Sequence, residues 1–172
     1  LKNITYMDDK IINVKPIVNE IIYYSEKTSD GRYVIPISID FDFTITSASD
    51  WISGHIDVND DCIDVMKKWK KNYNVGFILN TMRCGDNLSK AVNVIKDKGI
   101  EFYGIGRNPT QEDKEDLSCK IFSVFDIDDK NVGTPMICEE GKRPYVDWKK
   151  IDEIMSPILN EICTEVKSRQ YQ

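Results

Sequence analysis

The stretch that most constrains this chain is Val34 to Thr46, which reads VIPISIDFDFTIT. Its first part, Val34 to Ile39, is an apolar run rich in branched residues, and such runs suit a strand buried on both faces. The run stops abruptly at Asp40-Phe41-Asp42-Phe43-Thr44. Two carboxylates two residues apart at the carboxyl end of a buried strand are costly if they are left unpaired. In open α/β sheets that end of the strand is where ligands bind. A cation between the carboxylates would remove the cost, and two carboxylates with a cation make a place to move phosphate.

The rest of the chain alternates helix and strand patterns. Ile17, Val18, Ile21, Ile22 and Tyr24 recur at helical spacing behind Pro16, predicting a helix packed on the core, and Ser29 to Gly31 reads as a turn. Asn59 or Asp60 is placed to cap a helix running to about Tyr73, with Ile63, Met66 and Trp69 inward and Lys67, Lys68, Lys70 and Lys71 on a solvated face. Val75 to Asn80 predicts a second buried strand ending at Thr81. Gly85 to Lys98 predicts a helix stopped by Gly99. Ile100 to Ile105 and Lys120 to Ile127 predict two further strands, the last running into Asp126-Ile127-Asp128-Asp129. Turn residues at 131–135 and 140–142 frame a hairpin. Asp147 then caps a last helix with Ile151, Ile154, Met155, Ile158, Leu159 and Ile162 inward, a bend at Pro157 and a frayed tail after about Lys167. Such alternation predicts a three-layer α/β/α sandwich around a Rossmann-like, mostly parallel sheet. Parallel strands end on one edge, so Asp40, Thr81 and Asp128 should converge there.

Length and charge narrow the function. With 172 residues, 41% hydrophobic and 30% charged, the chain is sized for one domain with a proper core. No apolar run is long enough to span a membrane, and no secretory signal is visible, although the chain opens with Leu1 rather than Met. Cys62, Cys84, Cys119, Cys138 and Cys163 form no CxxC pair, which points to reduced thiols in a cytoplasmic protein rather than a disulfide framework or zinc site. A net charge of −6 argues against polynucleotide partners unless a local basic patch exists. His55, the single histidine, lies in a loop and reads as a solvated residue.

Asp40-Phe-Asp42-Phe-Thr44 resembles the DxDxT motif that opens the haloacid dehalogenase-like (HAD) phosphatase superfamily. Thr81 after the second strand, Lys120 before the last strand, and Asp128-Asp129 after it resemble the second, third and fourth motifs, in the right order. Phe43 stands where the commonest family version has glycine. The segments Ile45–Asp57 and Gly106–Ser118, where the family inserts caps, are too short to hold one, so the resemblance is to a small capless phosphatase-type member. It implies residues 1–32 as an N-terminal extension packed on the core and 33–172 as the catalytic domain.

That resemblance implies a magnesium-dependent phosphatase, a hydrolase working through an aspartyl-phosphate. Asp40 is the candidate nucleophile and Asp42 the acid that protonates the leaving group and then activates water. Thr81 would hydrogen-bond a phosphate oxygen. Lys120, or Lys114 six residues upstream, would neutralise charge. Mg²⁺ suits such hard oxygen donors. Its implied ligands are Asp40, the main-chain carbonyl of Asp42 and one or both of Asp128 and Asp129. Asp126 reads as a supporting or turn acid, and Arg83 either orients substrate or pairs with an acid. A capless site is open, suiting large phosphorylated substrates, or small ones when a second subunit of a homo-oligomer closes it. The alternative is a catalytically silent or regulatory module that uses the same fold to bind a phosphorylated ligand or a protein partner.

Overall fold

The computed structural model describes residues 13–25, 32–50, 52–111 and 120–170. Lys114, Trp51, Cys119 and the turn at Ser29 to Gly31 lie outside them, as does most of Gly106–Ser118. In chain order the elements are α1 (Lys15–Ser25), β1 (Ile35–Ile39), β2 (Thr46–Ser49), β3 (Ile56–Val58), α2 (Asp60–Tyr73) and β4 (Val75–Leu79). They continue with α3 (Gly85–Asp97), β5 (Gly104–Ile105), β6 (Phe125–Ile127), β7 (Met136–Ile137), β8 (Tyr145–Val146) and α4 (Trp148–Gln170).

The chain is an α/β domain of the three-layer kind. Four parallel strands in the order β5-β4-β1-β6 make the central sheet, and helices flank it. Every residue of β1 and β4 is buried, as covering on both faces requires. The segment between β1 and α2 holds only the antiparallel β2–β3 hairpin, and a second hairpin, β7–β8, precedes α4.

The helices follow their sequence signals closely. Asn59 caps α2 by accepting from the Asp61 N–H at 3.0 Å, and Asn74 closes it in a left-handed conformation. Ile63, Met66 and Trp69 are buried against the core, where the Trp69 and Trp148 rings meet edge-on at 6.0 Å. On α4, Ile151, Leu159 and Ile162 are buried but Ile154 is exposed, so the apolar face is narrower than its sequence suggests. Pro157 sits inside α4 without ending it. The helix continues to Gln170 rather than fraying after Lys167, with Arg169 bonded to Glu165 and to Asn19 of α1. Among the described residues no helix is long and apolar enough to cross a membrane.

Two strands are shorter than expected. β6 keeps only Phe125–Ile127 of the run from Lys120, because its neighbour β1 contains Pro36, which has no N–H to give. Val124 donates to the Pro36 carbonyl at 2.8 Å, and the Phe122 carbonyl is taken instead by the buried Asn108 side chain at 2.9 Å. β5 is only Gly104–Ile105. A side chain at Gly104 would meet the Arg107 carbonyl at 2.1 Å, so this edge is closed by its own returning loop.

Candidate functional site

Strand register builds the site. Ile39 pairs with Leu79 on one side and Ile127 on the other, so Asp40, Asn80 and Asp128 leave the sheet at one level. Two main-chain bonds tie this edge together: Asp40 donates to Ile127 and Asn80 donates to Ile39. Thr81 follows Asn80 on the same edge, and its hydroxyl accepts from the Arg83 N–H at 3.2 Å. Asp40, Asn80, Lys120, Asp126, Asp128 and Asn131 line one open cleft of about 280 Å³. Of the two candidate lysines, Lys120 falls within the described residues, and it lines the same cleft as Asp40 and Asp128.

Asp40, Asp128 and Asp129 each offer a carboxylate oxygen to one cluster, with those atoms within 4.8 Å of one another. Asp129 is the most constrained of the three. Its N–H donates to the Thr44 hydroxyl at 2.9 Å, and Arg143 donates to its Oδ2 at 2.8 Å. Its Oδ1 is buried and has no hydrogen-bond partner among the described residues. A carboxylate oxygen left unpaired in a side chain only 6% exposed is costly. A hard divalent cation held by the three carboxylates would satisfy it, so the donor set fits Mg²⁺. Asp128 instead turns one oxygen back to the Lys130 N–H at 2.8 Å.

Crowding has an electrostatic consequence at Asp40. Its carboxyl stands raised to about 6: burial pushes it up most, the Phe41 N–H pulls it down, and the charges of Asp128, Asp42 and Asp129 add to the rise.

Asp42 stands apart from that cluster. Its carboxylate accepts from Arg83 through Nε at 3.0 Å and Nη2 at 2.6 Å, and from the Ser49 hydroxyl of β2 at 2.5 Å. The Arg83 side chain is 1% exposed, with its guanidinium 4.8 Å from the Phe41 ring centroid. Of the two readings of Arg83, pairing with an acid is the one this geometry contains.

Phe43 adopts a left-handed backbone at φ 61°, which bulky residues rarely do. Three contacts hold it there. Its N–H donates to Thr46, its carbonyl accepts from Val146 of β8, and its ring stacks under the Arg143 guanidinium at 3.9 Å. Thr44 is buried and its carbonyl accepts from the Trp148 indole at 2.7 Å, so the loop is anchored to the start of α4.

His55 lies on the exposed hairpin and pairs with Asp57 at 3.0 Å, as a solvated residue does. Asp126 accepts from Ser123 at 2.7 Å and lines the cleft. The residues that sequence reasoning missed are Ser49, Asn80, Asn131 and Arg143. Asn80 alone had a signal, being the last residue of a predicted strand on the active edge.

A solved structure described as that of a conserved protein from Bacteroides thetaiotaomicron is similar to this chain, at 26% sequence identity and a TM-score of 0.54. The match covers 72% of this chain and 91% of that one. No protein-family model matches the chain, and no curated protein matches it significantly.

Proposed function

We propose that this chain is a Mg²⁺-dependent phosphohydrolase of the capless HAD kind, acting on a phosphate monoester through an aspartyl-phosphate on Asp40. The observation that carries this reading is the acid cluster of Asp40, Asp128 and Asp129, with one buried carboxylate oxygen of Asp129 lacking a partner among the described residues. That leftover oxygen favours Asp129 over Asp128 as a direct ligand. The cation would supply charge neutralisation for the phosphate and for the crowded carboxylates.

A phosphate monoester resists nucleophiles because its oxygens are negative, so catalysis is mainly positioning and charge neutralisation. In the first step an Asp40 oxygen bonds to phosphorus while the bond to the leaving oxygen breaks, and Asp42, which must be protonated at this stage against the pull of Arg83, gives that oxygen its proton. In the second, water attacks the phosphorus of the aspartyl-phosphate, Asp42 takes its proton, and Asp40 leaves as a carboxylate with release of inorganic phosphate. Lys120, which lines the same cleft as Asp40, would bind phosphate oxygens, and Thr81 would offer its hydroxyl. The cleft is open, and Met82 and Val132 stand almost fully exposed on loops leaving the same edge, so substrates with a body larger than the phosphate are accommodated. Cytoplasmic placement and a closing second subunit belong to the same reading.

A screen of phosphorylated metabolites, phosphopeptides and nucleotides, with and without Mg²⁺, tests it. The expected result is metal-dependent phosphate release that Asp40→Asn abolishes. Metal-dependent ligand binding without release on any of them would favour the silent-module reading instead.

A further inference from the structure

The arginine next to the site has a task that the hydrolytic reading does not assign. Arg83 cannot reach substrate, because its side chain is 1% exposed behind Phe41 and Asp42. Burying a guanidinium beside a carboxylate adds little stability once the lost hydration is counted; what such pairs retain is orientation. Here the oriented group is Asp42, held on both oxygens from two different elements, the loop after β4 and strand β2.

Asp42 needs such restraint because of where it stands. It is two residues from Asp40, and a divalent cation at Asp40, Asp128 and Asp129 would attract any further carboxylate within reach. A carboxylate bound to that cation is no longer at hand for the leaving group. The geometry points to Arg83 as a positioning residue that keeps the Asp42 side chain out of the cation's coordination shell, in a fixed orientation in which it is 15% exposed. Guanidinium fits the task better than ammonium, because its planar fork holds both oxygens at once. This inference rests on the cation site proposed above, but its primary readout is binding and not turnover.

The test is Mn²⁺ binding to the free protein, read by electron paramagnetic resonance, with kcat and KM measured alongside on one hydrolysed phosphomonoester. Arg83→Met should bind Mn²⁺ about tenfold more tightly, because a carboxylate joins the shell. The same variant should lose about tenfold or more in kcat with KM little changed. Mere loss of structure would weaken binding instead of tightening it. Arg83→Lys should fall between, and adding Asp42→Asn to Arg83→Met should return the affinity to that of the unaltered protein. Should Arg83→Met not fold, Arg83→Lys and Arg83→Gln carry the same comparison. Equal or weaker Mn²⁺ binding by the folded Arg83 variants overturns the inference. So does weaker binding by Asp42→Asn alone, which would make that side chain a ligand already. If the unaltered protein binds Mn²⁺ yet hydrolyses no phosphoester, the hydrolytic reading falls and the binding result still decides the role of Arg83. If it binds no Mn²⁺, both fall.

Discussion

Asp152 on α4 and Asp40 at the end of β1 are both partly buried carboxylates, yet their surroundings push them in opposite directions. Burial raises Asp152 too, but hydrogen bonds from Lys68, Ser156 and Trp69 outweigh it, and its carboxyl sits below the usual range. Those three donors lie at 2.7 Å each; Lys68 and Trp69 reach across the seam from α2, and Ser156 bonds from within α4. At Asp40 burial is the main push and the acids beside it add to the rise, so its carboxyl reaches about 6. One region satisfies its acid with the protein's own donors. The other leaves its acids crowded, with one oxygen unpaired among the described residues. Unsatisfied polar groups of this kind are rare in native folds, and they concentrate where chemistry is done.

Substitutions should separate the two regions by what they damage. Asp40→Asn should reduce turnover by roughly 10³-fold or more, because the proposed nucleophile is lost, while leaving the fold intact. Steady-state kinetics on contaminant-free protein, with circular dichroism for the fold, checks both halves. Asp152→Ala should do the reverse. It strands the Trp69 N–H and frees Lys68, so stability should drop by about 2–3 kcal/mol in urea unfolding, with kcat per folded molecule unchanged. A kinetic defect in Asp152→Ala would blur the comparison.

How much of this was legible follows from the range of the interaction that makes each feature. The carboxyl ends of the strands, the helix faces at Ile63, Met66 and Trp69, and the cap at Asn59 are set by residues near one another in sequence. They could be read from spacing. The acids at Asp40 and Asp128 could be placed together because parallel strands end on one edge. The Arg83–Asp42 pair spans 41 residues, so the sequence left Arg83 between orienting substrate and pairing with an acid and could not name the acid. Arg143 reaches Asp129 from a hairpin turn whose position over the site depends on Phe43 and Val146. The shortness of β6 was hidden for the same reason: the donor missing at Pro36 matters only once its neighbour is known.

Smaller effects sharpen the contrast at Asp40. Its carboxyl has a higher pKa folded than unfolded, so below about pH 3.8 it is protonated in both states. As pH rises towards 6 the unfolded chain gives up that proton first, and the metal-free fold loses stability. The loss should be about 1–2 kcal/mol after solvent screening at a part-exposed site, absent in Asp40→Asn, and reversed at pH 7 by saturating Mg²⁺. Thermal unfolding across pH, with and without Mg²⁺, measures it. The smallest expected change is in Phe43→Gly, where relief of the left-handed backbone and loss of the Arg143 stack oppose each other. Net stability should move by less than about 1 kcal/mol in urea unfolding.

The central claim is that the crowded acid at the end of β1 carries the phosphoryl group, and trapping that group tests it most directly. The protein is incubated with Mg²⁺ and a hydrolysed phosphoester, quenched in acid, reduced with borohydride and mapped by mass spectrometry. Borohydride converts an aspartyl-phosphate to homoserine, so the account predicts homoserine at position 40, dependent on Mg²⁺ and accumulating further in Asp42→Asn. Active turnover with no modification at Asp40 in either protein, or with Asp40→Asn still turning over, would contradict it.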